Sequence, residues 1–375
     1  MAQYNQPTFA GNDSEISFCK MHGLGNDYIY IDCCFDGTHN DFRKKFINSE
    51  EKLRLTIQRL CDRHFGIGAD GIIFITKPAP ELLDNNNEAT NTPHCQMEMY
   101  NSDGSRSEMC GNGLRCVAQY ACDEMTKRKV LEKQEYHHVF VQSNLGRKVY
   151  DCLCFQDDGK LLVQIEMGQL LTKTYNFNIG DGPFGLVPEL PLEDIKLEGF
   201  IRKIIFKANL KLSNQDSHQI VLIPLYCLSV PNPHAICFIN EVRMDGDLSS
   251  PLSFSFDDYP VCQLGTQIEN CTKLFPQRTN VEFVEIVDKH NVVSARQRTW
   301  ERGSGETNAC GTGAYAVSQI IYNKLVTTTR HETDRIKITL TGGDLFFKYS
   351  SNQLVHMIGP VKYVCKGTFM MNDYA

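Results

Sequence analysis

Two stretches decide the fold of this 375-residue chain: NSDGSRSEMCGNGLRCVAQY at residues 101–120 and ERGSGETNACGTGAYAVSQI at residues 301–320. When the two are aligned, Cys110 falls on Cys310, and two glycines and several apolar positions coincide as well. In each copy, the apolar residues after the glycines recur at the spacing of an amphipathic helix with one buried face. Two long copies are too few for a solenoid, so the repeat predicts two related domains that meet.

Length and composition are those of a globular protein with two domains. A chain of 375 residues exceeds the usual size of a single core, and its 42% apolar and 22% charged residues are ordinary for a globular protein. The formal net charge of −7 provides no basic surface for nucleic acid or for an anionic membrane. No secretory signal and no membrane-spanning run is visible. We therefore expect a cytoplasmic protein that acts on a small molecule, without nucleic-acid or membrane partners; a homodimer is compatible with these features.

The sixteen cysteines contain no C-x-x-C pair. This spacing excludes a thioredoxin-like redox motif and most structural zinc sites, so we expect reduced thiols and no metal. The segment GIGADG at residues 66–71 fits the dinucleotide fingerprint G-x-G-x-x-G, but a helical pattern precedes it and a strand follows, which is the reverse of the required order. No phosphate-binding loop and no lysine–pyridoxal signature is evident, and we expect no cofactor.

Short apolar runs predict many strands, for example YIYID at residues 28–32 and IIFIT at residues 72–76, and a charged helical pattern covers residues 50–64. Because strands follow strands without regularly intervening helices, we expect an α+β fold with mostly antiparallel sheets. We place the first domain at residues 1–166, with a returning C-terminal strand at residues 363–375, and the second domain at residues 167–362.

Four polar or proline-containing stretches look like insertions, which we expect at the surface. They cover residues 78–93, 126–135, 172–219 and 240–275.

The repeated cysteines are placed where a thiol can act as a base. The unpaired N–H groups at a helix start lower the pKa of a thiol. Two such thiols in one cleft share a proton, so that one thiolate faces one thiol across a carbon atom and the pair can invert a stereocentre. The glycine turns would hold an α-carboxylate and stabilise the charge that develops when the proton leaves. For one copy alone, a packed cysteine beside a tight turn is the commoner case, but two matching copies favour the catalytic interpretation.

Seven segments that cover both halves, in chain order, closely resemble the diaminopimelate epimerase family: KMHGLGNDYIYID, RHFGIGADGIIFI, YNSDGSRSEMCGNGLR, NPHAICFI, RTNVEFVEI, WERGSGETNACGTGA and TGGDL. The resemblance implies two similar domains, each a curved, mainly antiparallel sheet wrapped around a central helix, with the active site between them. It also implies cofactor-independent epimerisation of LL-2,6-diaminopimelate to the meso form, for lysine and peptidoglycan biosynthesis.

The resemblance further assigns roles to individual residues. Cys110 and Cys310 match the two catalytic bases, and His234 and Glu301 match the pair that tunes the thiol pKa. The positions that match substrate-binding residues of the family are Asn26, Asn101, Gly111, Asn112, Asn232, Asn280, Glu301, Arg302, Gly311 and Thr312. These residue types suit a substrate with a zwitterion at each end, because a guanidinium recognises a carboxylate and amide oxygens recognise an ammonium.

Two residues depart from the family pattern. Pro231 stands where a glycine is usual, and Gly71 stands where some members have a glutamine that touches substrate.

Two alternative functions stay open. A racemase of the same fold could act on histidine, glutamate or proline instead. A thiol redox sensor could use a reversible disulfide between Cys110 and Cys310.

Overall fold

The computed structural model describes residues 15–35, 49–79, 92–107, 109–132, 134–145, 148–169, 202–211, 218–230, 232–288, 293–323 and 335–370. They fall into two compact units, which divide between Val163 and Gln164 and again between Pro360 and Val361. Unit 1 comprises the N-terminal part together with the C-terminal stretch, and unit 2 is the part between them.

Unit 1 is a mixed, mainly antiparallel sheet with two helices. Its strands are β1 (Glu15–Gly23), β2 (Asn26–Asp32), β3 (Gly71–Thr76), β4 (Cys95–Asn101), β5 (Arg106–Ser107), β6 (Tyr136–Ser143), β7 (Val149–Asp157), β8 (Lys160–Gln169), which runs across the division, and β19 (Lys362–Met370). The neighbours in the sheet are β19, β1, β2, β3, β4, β6 and β7, in that order, and β5 pairs with β4. The β2–β3 and β4–β6 pairs are parallel, and the other pairs are antiparallel.

The two helices of unit 1 connect the parallel pairs. Helix α1 (Glu50–Cys61) lies between β2 and β3, and α2 (Gly111–Lys127) lies between β5 and β6. Ser49 caps α1 by accepting a hydrogen bond from the backbone N–H of Lys52. The helix ends three residues before the predicted limit, because the carboxylate of Asp62 accepts hydrogen bonds from the next backbone N–H groups and forms a turn.

Unit 2 has ten strands, two α-helices and one short 3-10 helix (Ile239–Glu241) among the described residues, besides the end of β8. Its strands are β9 (Arg202–Lys211), β10 (His218–Ser229), β11 (Pro233–Phe238), β12 (Arg243–Met244), β13 (Asn280–Asp288), β14 (Ser294–Glu301), β15 (Gly305–Thr307), β16 (Ile336–Leu340), β17 (Gly343–Tyr349) and β18 (Leu354–Pro360). Its α-helices are α3 (Val261–Glu269) and α4 (Gly311–Ile321).

The core of unit 2 repeats the topology of unit 1. The β11–β13 and β14–β16 pairs are parallel, as are β2–β3 and β4–β6, and the neighbouring pairs are antiparallel in both units. Helices α3 and α4 make the crossovers that α1 and α2 make in unit 1. Helices α2 and α4 are both deeply buried, with Val117 and Val317 at 0% exposure. The predicted α+β class, with two similar, mainly antiparallel domains that each contain a central helix, is therefore confirmed.

Two of the four predicted surface insertions are wrong in part. Residues 240–275 contain α3, whose Leu264 and Ile268 are fully buried in the apolar core of unit 2. Residues 172–219 contain β9, in which Ile204, Phe206 and other alternate residues face the same core. Polar residues alternate with these apolar ones and prolines lie nearby, so the sequence pattern did not reveal that one face of each element is buried. Of the other two stretches, residues 80–91 lie outside the described part of the chain, and most of residues 127–135 are exposed.

Among the described residues, no helix combines the length and the apolar character that crossing a membrane requires.

Candidate active site

Cys110 lies at the start of α2, as the N-cap residue of that helix. Its Sγ atom lies 3.3 Å from Oδ1 of Asn26, the first residue of β2. The thiol is half-buried, and its backbone carbonyl accepts the first hydrogen bond of the helix from the N–H of Leu114. The thiol is thus held at a helix N-terminus, where N–H groups have no partner within the helix.

A chain of hydrogen bonds fixes the orientation of the amide beside Cys110. Arg115, which is fully buried, donates to Oδ1 of Asn112 (2.6 Å), and Nδ2 of Asn112 donates to Oδ1 of Asn26 (3.2 Å). Nδ2 of Asn26 in turn donates to a carboxylate oxygen of Asp70 (2.8 Å). Because a guanidinium only donates and a carboxylate only accepts, the two ends of the chain set the direction of every bond. The amide oxygen of Asn26 therefore faces Cys110, as an acceptor for the S–H group.

Tyr28 is a second neighbour of Cys110. Its side chain is buried, and its hydroxyl interacts with the Cys110 thiol and with the side chain of Asn26. Burial, followed by the charge of Cys110, raises the pKa of Tyr28 well above the ordinary tyrosine value. Tyr28 therefore stays a neutral hydroxyl beside this thiol.

Cys310 occupies the equivalent N-cap position of α4 but has more contacts. Its Sγ atom accepts a hydrogen bond from the backbone N–H of Gly313 (3.3 Å) and lies 3.5 Å from Oγ1 of Thr312. The residue is 6% exposed. Its sulfur is thus bound directly by an N–H group of the helix start.

A buried histidine and carboxylate stand beside Cys310. Nδ1 of His234 lies 2.7 Å from Oε1 of Glu282, and Nε2 lies 2.9 Å from Oδ1 of Asn232. His234 and Glu282 are both 0% exposed. A ring nitrogen of His234, a carboxylate oxygen of Glu282 and the sulfur of Cys310 lie within 4.8 Å of one another. The second oxygen of Glu282 is buried and has no hydrogen bond to any residue that the structure describes. Such a carboxylate is costly to bury, which is typical of a functional site.

These neighbours set the protonation of Cys310. Burial, followed by the negative charges of Glu301 and Glu282, raises the pKa of the Cys310 thiol well above its ordinary value. The hydrogen bonds from Thr312 and Gly313 act in the opposite direction but are smaller effects. Burial and the two carboxylates therefore outweigh the helix start, so the lowered thiol pKa that the sequence predicts is wrong for Cys310, and its surroundings favour the thiol, which is the proton-donating form.

Asn280 and Arg302 are brought together at the end of β14. Oδ1 of Asn280 accepts from the backbone N–H of Arg302 (2.9 Å), and Nδ2 donates to the carbonyl of Pro233 (3.1 Å). The Arg302 guanidinium is exposed and donates to the carbonyl of Gln277 (2.8 Å). Glu301, beside it, accepts from Oγ1 of Thr307 (2.6 Å). Asn280 thus holds the turn that presents Arg302.

The remaining predicted residues are placed as follows. Gly111, Gly311 and Thr312 lie in the first turns of α2 and α4. The side chain of Asn101 donates to Oγ of Ser105 (3.0 Å), and among the described hydrogen bonds it does not join the cluster around Cys110.

The two departures from the family pattern have different outcomes. At Gly71, a Cβ atom would lie 2.2 Å from the carbonyl oxygen of Tyr100, so this backbone leaves no room for a glutamine. Pro231 lies outside the described residues.

Four residues of this site were not predicted: Tyr28, Asp70, Arg115 and Glu282. Each lies in one of the segments that resemble the family, but as part of a strand, a turn or a helix. The parallel registers place Tyr28 opposite Gly71 and His234 opposite Asn280, so Tyr28 and His234 are equivalent positions. Aligning the strand segments through the two cysteine motifs would have found this equivalence.

Each unit therefore presents a thiol at the N-terminus of its central helix, surrounded by hydrogen-bonding groups. Unit 1 surrounds its thiol with a phenol and amides, and unit 2 adds a histidine and two carboxylates. Such thiols can take up or release a proton, and the N–H groups beside them can bind a carboxylate.

Comparison with known proteins agrees with this geometry. The sequence profile of the family described as diaminopimelate epimerase matches residues 18–140 and 226–364. A diaminopimelate epimerase of Leptospira biflexa is 35% identical over 356 residues, covering 94% of this chain and 98% of the relative. One from Brachyspira hyodysenteriae is 35% identical over 358 residues, covering 95% and 100%.

A solved structure shows the same fold at much lower identity. The hydroxyproline epimerase of Agrobacterium vitis superposes with a TM-score of 0.50 at 10% identity, and the match covers 95% of this chain and 91% of that one. The two curated relatives match nearly end to end, and the family profile spans both cysteine motifs. The chain therefore belongs to the diaminopimelate epimerase family, and it is an isomerase of the epimerase type.

Proposed function

We propose that the protein converts LL-2,6-diaminopimelate to meso-diaminopimelate without a cofactor, with Cys110 and Cys310 as bases on opposite faces of one α-carbon. The observation that carries this proposal is the equivalent N-cap position of the two cysteines on α2 and α4. In this reaction, the thiolate of one cysteine removes the α-proton, and the S–H group of the other returns a proton to the opposite face. The two sulfurs then exchange their roles, and no electrons are transferred.

The backbone of the two helix starts supports the difficult step, which is the removal of a weakly acidic proton. N–H groups of Gly111, Asn112, Gly311 and Thr312 would bind the α-carboxylate and favour the negative charge that develops on it. The glycines at these starts permit a close approach of the substrate to the backbone. In unit 2, the N–H of Gly313 donates to the Cys310 sulfur, so it would also stabilise the thiolate that forms when Cys310 gives up its proton.

The far end of the substrate gives the specificity. The exposed guanidinium of Arg302 suits the distal carboxylate, and amide oxygens suit the distal ammonium. Asn26, Asn101, Asn232, Asn280 and Glu301 are the further residues that we assign to substrate binding. His234 and Glu301 would tune the protonation of the thiols, and Glu282 joins them because of its contact with His234. By the family resemblance, the product serves lysine and peptidoglycan synthesis.

The direct test is an assay of the purified, fully reduced protein with LL-diaminopimelate in deuterium oxide. We expect meso-diaminopimelate that carries deuterium at one α-carbon, and loss of this product in Cys110→Ala and Cys310→Ala variants that keep the wild-type circular dichroism spectrum. Wild-type rates in either variant would overturn the two-base mechanism.

The same assay separates the alternatives. Turnover of histidine, glutamate or proline, but not of diaminopimelate, would identify a racemase of another amino acid. A reduced protein that exchanges no α-hydrogen, and whose Cys110 and Cys310 form a disulfide on mild oxidation, would identify the redox sensor. The cytoplasmic location and the homodimer stay predictions.

A further inference from the structure

Glu269, the last residue of α3, is a buried carboxylate that three donors share. Its Oε1 atom accepts from the backbone N–H of Gly303 (2.8 Å) and from NH1 of Arg278 (2.9 Å), and Oε2 accepts from Nε1 of Trp300 (2.7 Å). The residue is 4% exposed. A carboxylate suits this place, because both of its oxygens accept hydrogen bonds.

Two of these donors flank the turn that carries Glu301 and Arg302. Trp300 precedes the pair and Gly303 follows it, with a φ of +80° that favours glycine. The turn is closed by a hydrogen bond from the N–H of Ser304 to the carbonyl of Glu301 (3.0 Å). Glu269 therefore holds the turn at both of its ends.

Helix α3 gives Glu269 a rigid base. The Trp300 side chain packs so closely on Gly265 that a Cβ there would lie 2.6 Å from Cγ of the indole. Val261, Leu264 and Ile268, which share the buried face of the helix with Gly265, anchor it in the core of unit 2. The backbone that carries Glu269 is thus held in place by the core.

We propose that Glu269 is a positioning residue for Arg302: it holds the Trp300–Gly303 turn so that the guanidinium is preorganised for the distal carboxylate of the substrate. This inference rests on the proposed function, because that function gives Arg302 its ligand. Asn280 holds the same turn through the backbone N–H of Arg302. Together with the backbone N–H of Gly303 and the ring N–H of Trp300, three N–H groups of the turn are therefore fixed by hydrogen bonds.

The isosteric variant Glu269→Gln tests the proposal. A glutamine has one acceptor oxygen and an amide that donates, so one of the three donors faces another donor. Since the distal end of the substrate does not react, we expect KM for LL-diaminopimelate to rise roughly tenfold while kcat changes less than about threefold, as for the loss of uniform binding. Glu306→Gln is the matched control, because this exposed carboxylate lies opposite Trp300 on β15 and pairs with Arg298. It should leave KM unchanged.

A second substitution provides a rescue test. Trp300→Phe keeps an aromatic ring but removes the N–H that conflicts with the glutamine amide. We therefore expect the double variant Glu269→Gln/Trp300→Phe to have a lower KM than Glu269→Gln alone. If Glu269→Gln does not fold, Trp300→Phe alone decides: it should raise KM with kcat unchanged, and an unchanged KM would overturn the proposal.

Trp300 is the single tryptophan of the chain, so its fluorescence reports on this turn alone. The emission maximum should shift in Glu269→Gln and stay as in the wild type in Glu306→Gln. This readout requires no turnover: if the wild type does not act on diaminopimelate, the proposed function fails even though the emission shift is present. The positioning role is overturned if Glu269→Gln keeps the KM and the emission maximum of the wild type. It is also overturned if Glu269→Gln loses thermal stability or kcat without a rise in KM, or if the double variant has a higher KM than Glu269→Gln alone.

Discussion

Ile73 and Glu282 occupy equivalent positions in the two units. In unit 1, Ile73 lies opposite Tyr30 on the parallel β2–β3 pair, two residues beyond the pairing of Gly71 with Tyr28. In unit 2, Glu282 lies opposite Ile236 on the parallel β11–β13 pair, two residues beyond the pairing of Asn280 with His234. Each lies against the second glycine of its cysteine motif: a Cβ on Gly113 would lie 2.7 Å from Cδ1 of Ile73, and a Cβ on Gly313 would lie 2.4 Å from Oε1 of Glu282. The two thiols therefore sit on similar frames in different electrostatic surroundings.

The first prediction concerns the carboxylate at this position. In Glu282→Gln, the loss of a negative charge near the Cys310 sulfur should lower the pKa of that thiol. Glu301 and His234 remain as the other ionisable groups facing it, so the pKa falls only in part. We expect the pH profile of iodoacetamide labelling at Cys310, followed by peptide mass spectrometry, to move to lower pH.

Glu285→Gln is the control for this measurement. Glu285 lies three residues farther along β13 and pairs with Arg296 at the surface, with a 39% exposed side chain. Its replacement should not move the labelling profile of Cys310. A profile that stays in place in Glu282→Gln as well would contradict the role of Glu282.

The second prediction compares alanine at the two equivalent glycines. In Gly313→Ala, the new methyl group must displace a carboxylate that is hydrogen-bonded to buried His234. In Gly113→Ala, the one close contact among the described residues is with Cδ1 at the flexible end of Ile73, and the next atoms, of Cys110 and Tyr28, lie at ordinary van der Waals distance. We expect Gly313→Ala to lose about 1–3 kcal/mol of stability and much of its kcat, and Gly113→Ala to lose less of both. Thermal unfolding and steady-state rates measure the difference, and equal losses in the two variants would refute the asymmetry.

The third prediction concerns the ion pairs behind Asn26. Asp27 accepts from both terminal nitrogens of Arg63 (3.2 and 2.7 Å) and lies 2.9 Å from Nζ of Lys20. Burial alone would raise the pKa of Asp27, but the hydrogen bonds from Arg63 and Lys20 outweigh burial and hold the pKa below its ordinary value. A carboxyl whose pKa is lower in the folded state stabilises the fold above its unfolded pKa, which is about 3.9, and this contribution is lost as the pH falls through the folded pKa.

We therefore expect the free energy of unfolding of Asp27→Asn, measured by urea denaturation at pH 7, to be lower than that of the wild type by about 1–3 kcal/mol. As the pH falls below about 4, the variant should lose less of its free energy of unfolding than the wild type does. Asp158→Asn, in the exposed turn between β7 and β8, serves as the control and should follow the wild type. Identical pH dependence in wild type and Asp27→Asn would show that this pair does not stabilise the fold.

The repeat in the sequence was enough to predict the frame of the site. Both cysteines cap buried helices, because glycines and apolar residues at helical spacing have the same order in each copy. Helix α3 was missed because its short buried face is flanked by prolines and polar residues. Its place in the core is shown only by tertiary packing, that of Leu264 and Ile268 in the core and that of Trp300 on Gly265. Glu282 was missed because an acidic residue within a strand is ordinarily exposed, and only the register with β11 brings it to His234.

The most direct test of the two-thiol account is the distribution of deuterium at early times, when LL-diaminopimelate reacts in deuterium oxide with the reduced wild-type protein. Two bases on opposite faces predict that the first meso product carries solvent deuterium at the inverted carbon, while the recovered LL substrate still carries protium. Deuterium that enters the recovered substrate as fast as the product, or an unchanged result in Cys310→Ala, would contradict the account.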